Sequence, residues 1–395
     1  MVSTAKTDQL WTRNFILLCI ANLLMAVAFY FLISTLPVYL VEGMGENKTN
    51  TGLIIAFYTL AAIIIRPFSG AALDYFGRKW IFLVAWFVFA ILFGFYAVSG
   101  TLVLLLIIRF LHGLSWGITT TSGSAVMADI IPRTRIGEGL GFFGLSMTVG
   151  MAMGPYLGIM IMGENRFLDV FFTGMLLALA GFVIATMVKY PIFQKHDSKI
   201  DIQSFIFKPS FPLSIVMMIA MISYGGLITF ITVFSREKQL LSAGWFFAIF
   251  AAGLAISRIA GGRIYDRQGP SKVLIPAFFL LMIGFPVLSM ASNNHLFLLS
   301  SIMLGMGFGI IFPVMQAMVN QLAMPYQRGA ANSTFFTAID IGIGFGSVSF
   351  GYLAQMFSLD AAYMAAAAPP AAACFLFLVF ALKQFRKKTA SIVYS

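Results

Sequence analysis

The sequence predicts an all-α membrane protein, with twelve spanning helices arranged as two pseudo-symmetric bundles of six. Three observations carry that reading. Hydrophobic residues make up 60% of the chain and charged residues only 10%, with a mean hydropathy of +0.93. A soluble domain carries about 25% charged residues, so this chain has too little polar surface to cover its apolar surface, and lipid is its solvent. The apolar residues fall into long runs, and a spanning helix needs about 20 of them, so the chain has room for roughly a dozen such helices and little else. The third observation is that the two halves of the sequence echo each other.

Taken in order, the runs read as helices over 14–41, 51–73, 80–99, 101–126, 138–162, 168–188, 211–235, 243–264, 272–291, 296–322, 331–357 and 362–382. The first is too long for a cleaved signal peptide and has no small-residue cleavage site. The longest polar break, 189–210, follows the sixth run. It divides the chain into a first six-helix bundle (1–188), a cytoplasmic linker (189–210) and a second bundle (211–395). Arg66, Gly70, Asp74 and Gly77 recur as Arg258, Gly262, Asp266 and Gly269, each 192 residues further on. Gly113 and Gly117 recur as Gly305 and Gly309 at the same offset, and Pro132 and Arg135 as Pro325 and Arg328 at 193. Eight matches in order indicate a duplicated unit. That organisation belongs to two-bundle transporters, whose sites lie near the membrane midplane between the repeats.

A formal net charge of +11 suggests nucleic acid, but the distribution argues for a membrane surface instead. Of the 25 Lys and Arg, 18 lie in the N-terminus, the tail and the loops on one side of the runs; four lie in the opposite loops. The positive-inside rule then places both termini in the cytoplasm. The remaining three, Arg66, Arg109 and Arg258, lie inside apolar runs. Three His, no metal-ligand cluster and no pair of groups at catalytic spacing argue against an enzyme. No metal and no cofactor is expected, the proton gradient being the energy source. Cys19 and Cys374 fall inside apolar runs and read as packing thiols. Asn47-Lys48-Thr49 fits a glycosylation pattern too short to carry weight.

Residues 70–79, GAALDYFGRK, join the second and third runs. Gly70 and Gly77 permit a tight turn and close backbone approach. Asp74 suits a helix N-terminus or a basic partner. Arg78 and Lys79 anchor the loop on the basic side. The pattern G-x-x-x-D-x-x-G-R-K resembles the signature loop of the major facilitator superfamily, and it returns in degenerate form at 262–269. The resemblance covers nearly the whole chain and implies alternating access of two bundles. It also implies that Arg78 pairs with an acid at the end of the fourth helix, here Asp129, to latch a cytoplasmic gate. Their counterparts in the second half are Pro270 and Gln321, so both partners are absent there together.

Residues 150–158, GMAMGPYLG, place Gly150, Gly154 and Gly158 on one smooth helix face, and Pro155 adds a kink. This resembles the fifth-helix motif of drug–proton antiporters and implies export. Residues 109–117, RFLHGLSWG, resemble the R-x-x-x-G motif on the fourth helix of the same family. Arg109 lies about 12 Å from the outer end of its helix, deep enough to require a partner or a wet cavity. His112 can serve as a proton carrier or as a packing residue, and Trp116, one turn on, is placed in a pocket wall. Arg66 and Arg258 are within reach of the headgroups by snorkelling and read as structural. Glu138 reads as a helix-dipole acid.

The stretch FFTAIDIGIGFGSVSFGYL, 335–353, holds a single carboxylate, Asp340, about 15 Å inside its helix. Aspartate is too short to snorkel from that depth, and an ionisable group inside a membrane is a functional-site hypothesis by default. Burial disfavours its charged form, which suits a group that takes a proton on one side and releases it on the other. This run resembles a subgroup with sugar-efflux-like and metallophore-exporter-like members. Asp340, Arg109 and His112 are therefore the expected coupling or substrate groups. Asn22, Tyr30, Tyr58, Trp116, Tyr224, Phe312, Gln316 and Phe336 are the expected cavity wall.

The expected function is proton-coupled efflux of a cationic, zwitterionic or amphipathic small molecule. The setting is a bacterial inner membrane, and the expected form is a monomer with no nucleic-acid partner. Uptake by symport and lipid scrambling are the rivals. A scramblase needs no proton gradient and is indifferent to Asp340→Asn.

Overall fold

The computed structural model describes residues 9–45, 48–163, 166–190 and 205–393. Most of the expected linker (189–210), and Asn47, lie outside the described residues. Helix α1 (Arg13–Val38) runs into a wider π turn at Tyr39–Gly43. It is followed by α2 (Lys48–Phe76), α3 (Arg78–Phe95), α4 (Leu102–Ile130), α5 (Ile136–Met162) and α6 (Phe167–Thr186). The second half holds α7 (Phe211–Glu237), α8 (Ala243–Gln268), α9 (Ser271–Ser289), α10 (Asn294–Leu322) and α11 (Arg328–Met356). The last span is segmented into α12 (Leu359–Ala365), α13 (Ala368–Leu376) and α14 (Leu382–Val393). The break comes just before Pro369 and Pro370, which have no N–H to donate to the preceding turn. Among the described residues, 11 segments are long and apolar enough to cross a membrane, and α2, at 29 residues, packs among them.

Several helices extend past their apolar runs on the face that carries most of the Lys and Arg, called the basic face below. α2 reaches Phe76, α4 reaches Ile130, α8 reaches Gln268, and α11 begins at Arg328. Hydropathy marks where lipid ends; hydrogen bonding marks where a helix ends. The polar residues in these extra turns have partners in the other half, so the helices do not fray there. Elsewhere the ends are capped locally: Thr12, Thr101, Asn293 and Ser358 each accept from an amide of the first turn.

Packing repeats with the sequence. In the first half α1 lies on α5, α2 on α4 and α3 on α4; in the second, α7 lies on α11, α8 on α10 and α9 on α10. Gly113 of α4 meets the Tyr58 carbonyl of α2, and Gly305 of α10 meets the Phe250 carbonyl of α8, so any side chain at either glycine would part the helices. Gly77 and Gly269 both have positive φ, 87° and 82°, at the turns into α3 and α9. Gly150, Gly154 and Gly158 face α1 along Ala26, Tyr30 and Phe31, which is the close approach their spacing predicts. The halves meet through α2 on α11 and α5 on α8.

Candidate functional site

The two halves are tied together on the basic face by two related sets of bonds. In one, Asp74 at the end of α2 accepts from the Gly329 and Ala330 amides at the start of α11, at 2.8 and 2.7 Å. In the other, Asp266 at the end of α8 accepts from the Gly137 and Glu138 amides at the start of α5, both at 2.9 Å. Each carboxylate fills orphan donors of a helix in the opposite half and complements that helix's dipole. Cross-half contact is close enough to require glycine: Gly70 lies against Ser333 and the Gly329 carbonyl, Gly262 against the Gly137 carbonyl.

Charges reinforce each set differently. Asp129, at the end of α4, is shared by Arg78 at 3.0 Å and Arg328 at 2.6 Å. Arg328 comes from the second half and also donates to the Ala128 carbonyl. Arg78 in turn donates to the Pro325 carbonyl. The expected Arg78–Asp129 contact is thus present, with a third member the sequence did not suggest. On the other side Glu138 bridges Arg135 at 2.6 Å and Arg263 at 2.8 Å. Its role as a mere dipole acid is corrected: it joins α5 to α8. In place of a charged pair, Gln321 accepts from the Tyr265 hydroxyl.

Above this seal lies the polar centre of the membrane span. Arg66 Nε donates to Asp340 Oδ2 at 2.7 Å, from α2 in one half to α11 in the other. The guanidinium also donates to Thr120 and Thr121 of α4. Arg258 of α8 reaches α5, donating to the Gly144 carbonyl and, at 2.7 Å, to Thr148 Oγ1. Both arginines were expected to snorkel. Instead each is buried and hydrogen-bonded to a partner in the opposite half. An aromatic floor joins them. The Arg66 guanidinium is 4.9 Å from the Phe336 ring, Phe336 and Phe312 are 6.0 Å apart, and Phe312 is 6.0 Å from Arg258. Phe312, Phe336, Tyr30 and Tyr224 are half-buried here, while the residues of the seal below are largely covered.

The other expected residues sort by position. Arg109 lies inside the first half, with its guanidinium 5.0 Å from the Tyr58 ring and 5.8 Å from Tyr96. His112 Nδ1 is 3.0 Å from the Tyr96 hydroxyl, and its ring packs on Phe89 and Phe93. Trp116 stacks on Phe29 at 4.1 Å. Arg109 and His112 therefore share a cluster with Tyr58 and Tyr96. Asn22 of α1 is buried against α5, donating to Ser146, and Gln316 is buried in an amide cluster with Asn320 and Asn332. Each thereby satisfies another buried polar group. Sequence reasoning read Arg66 and Arg258 as structural and Glu138 as a dipole acid, and it missed the cross-half partners of Arg328 and Arg263. The repeat carried the signal for the first two: one buried acid and two repeat-related buried bases invite a test for pairing.

Two six-helix halves closing on a shared charged centre make this a multi-pass membrane transporter. Residues 18–240 and 213–392 match the model of the Major Facilitator Superfamily, and the chain belongs to that family. It is 23% identical over 334 residues to an uncharacterized MFS-type transporter of Methanocaldococcus jannaschii, covering 82% of this chain and 86% of that one. It is 25% identical over 336 residues to the multidrug resistance protein MdtG of Escherichia coli, covering 79% and 82%. The human organic anion transporter MFSD10 shares the fold, with a TM-score of 0.80 at 16% identity over 92% of this chain and 98% of that one.

Proposed function

We propose that the protein exports a small amphipathic molecule in exchange for protons, and that the Arg66–Asp340 pair couples the two movements. The carrying observation is that this part-buried pair, 2.7 Å long, is made between the halves. With the basic face in the cytoplasm, the conformation is sealed toward the cytoplasm and receives protons from outside. The Asp340 side chain keeps 17% exposure, enough to be reached. A proton on Asp340 removes the charge that holds α11 to Arg66. Loss of a buried partner is strongly destabilising, so the sealed state weakens relative to the opposite one. Release of the proton to the cytoplasm restores the carboxylate, and the pair re-forms as the seal closes over bound substrate. The multidrug relative supports export, as does the Gly150–Gly158 motif. The protein works as a monomer with no cofactor, in a bacterial inner membrane with both termini cytoplasmic.

The test uses inside-out vesicles energised with a proton gradient. Substrates of graded charge are added, and proton release is read for wild type and Asp340→Asn. Substrate-evoked release that is lost in the variant is expected. Release that persists in Asp340→Asn would remove the aspartate from coupling. Substrate-driven proton movement in the opposite sense would replace export by symport.

A further inference from the structure

The relation between the halves extends to the two cross-half arginines and is broken at one atom group. Arg66 and Arg258 are 192 residues apart, as are Asp74 and Asp266, and as are Gly329 and Gly137, whose amides those acids bind. At the same offset, Asp340 corresponds to Thr148. Arg66 therefore meets a carboxylate, whereas Arg258 meets a hydroxyl at 2.7 Å. The Arg258 residue is 9% exposed, it is in no ion pair among the described residues, and its Nε has no hydrogen-bond partner. The Phe312 ring lies 6.0 Å from its guanidinium.

The charges in the middle of the span are unbalanced in the same sense. Among the described residues Arg66, Arg109 and Arg258 are buried there against the single carboxylate of Asp340. A buried charge needs pairing. A cationic ligand resting on the Phe312–Phe336 floor meets an excess of positive charge, and an anionic one meets an unfilled demand.

We propose that the substrate carries one anionic group, a carboxylate or sulfonate, on an aromatic or apolar body. Its anionic group pairs with Arg258, supplying the charge that Asp340 supplies to Arg66, and its body lies on Phe312 and Phe336. This rests on the export reading and names its substrate class. It also explains how exchange arises without direct competition. An anion paired with Arg258, whose guanidinium already donates to α5 of the first half, strengthens the tie between the halves, as the Asp340 carboxylate does on the other side. Anion binding then favours the sealed state and protonation of Asp340 the opposite one, so each opposes the other through the conformation.

The experiment is equilibrium binding to the full chain in nanodiscs, without a gradient, so that failure of proton coupling leaves it interpretable. The probes share one body: 1-naphthoate, the neutral 1-naphthamide and the cationic 1-naphthylmethylammonium. Naphthoate is expected to bind at least about tenfold more tightly than either companion, the scale of a charge-assisted bond. Arg258→Gln should abolish that preference, and Arg258→Lys should retain part of it. Thr148→Asp, which supplies the acid from within, should abolish naphthoate binding while the folded variant keeps its elution profile and melting temperature. The proposal is overturned if naphthoate shows no preference, or if its binding is unchanged in Arg258→Gln or in folded Thr148→Asp.

Discussion

The seal on the basic face predicts that one methyl group at Gly262 changes which side of the protein is closed. A Cβ there would lie 2.5 Å from the Gly137 carbonyl oxygen, and 2.7 Å from both the Gly137 carbonyl carbon and Glu138 Cα. All three are backbone atoms of α5, so no rotamer change relieves the clash. To reach ordinary contact at about 3.5–4.0 Å, α8 and α5 must part by roughly 1 Å. That lengthens both 2.9 Å bonds from Asp266 to the α5 amides. Overpacking of this kind costs about 1–3 kcal/mol, and it falls only on the state in which these helices touch. Gly262→Ala should therefore shift the ratio of sealed to open molecules about 5- to 150-fold toward open. The assay is alkylation of Ser333→Cys, in a background with Cys19 and Cys374 replaced, by an impermeant maleimide presented to the basic face. Ser333 is fully buried at the α2–α11 contact, so its labelling reports opening. Gly150→Ala is the control. Its Cβ would meet Ala26 at 2.5 Å within the first half, so it should lower the melting temperature without raising labelling. Equal labelling in wild type and Gly262→Ala would refute the claim that this contact belongs to one conformation.

Two further predictions follow from the same face. Asp129→Ala leaves Arg78 and Arg328, both at most 9% exposed, buried together without their shared acid; it should destabilise the fold by about 3–5 kcal/mol, read as a lowered melting temperature, and an unchanged midpoint would show that the triad is not held. Gly269→Ala should cost about 1–3 kcal/mol by thermal melt, because φ 82° with ψ 175° is a conformation essentially confined to glycine; a side chain there would touch nothing within 4 Å, so the cost is conformational alone, and an unperturbed melt would mean the turn relaxes freely.

Much of the molecule was legible in the sequence because the bilayer imposes a one-dimensional rule. Twenty apolar residues in succession must span, and loops must take the charges, so composition and Lys/Arg placement fix the class and the number of helices. The repeat fixed the pairing of elements, since residues at an offset of 192 do the same job in each half, as Asp74 and Asp266 do. Hydropathy singled out Asp340, because an acid at that depth is too short to snorkel to the headgroups. What the sequence left open were the partners. Arg66 and Arg258 look alike along the chain and read as snorkelling charges, yet α11 brings Asp340 to one and α5 brings Thr148 to the other. Asn22 and Gln316 show no partner along the chain; the packing brings Ser146 and Asn332 beside them. Helix ends on the basic face were also misplaced, because they are stabilised by acceptors from the opposite half. A hydrophobic run is a property of one helix against lipid, and the sequence contains it. A buried ion pair is a property of two helices hundreds of residues apart, and only the packing of the halves decides which charge meets a carboxylate and which is left for a ligand.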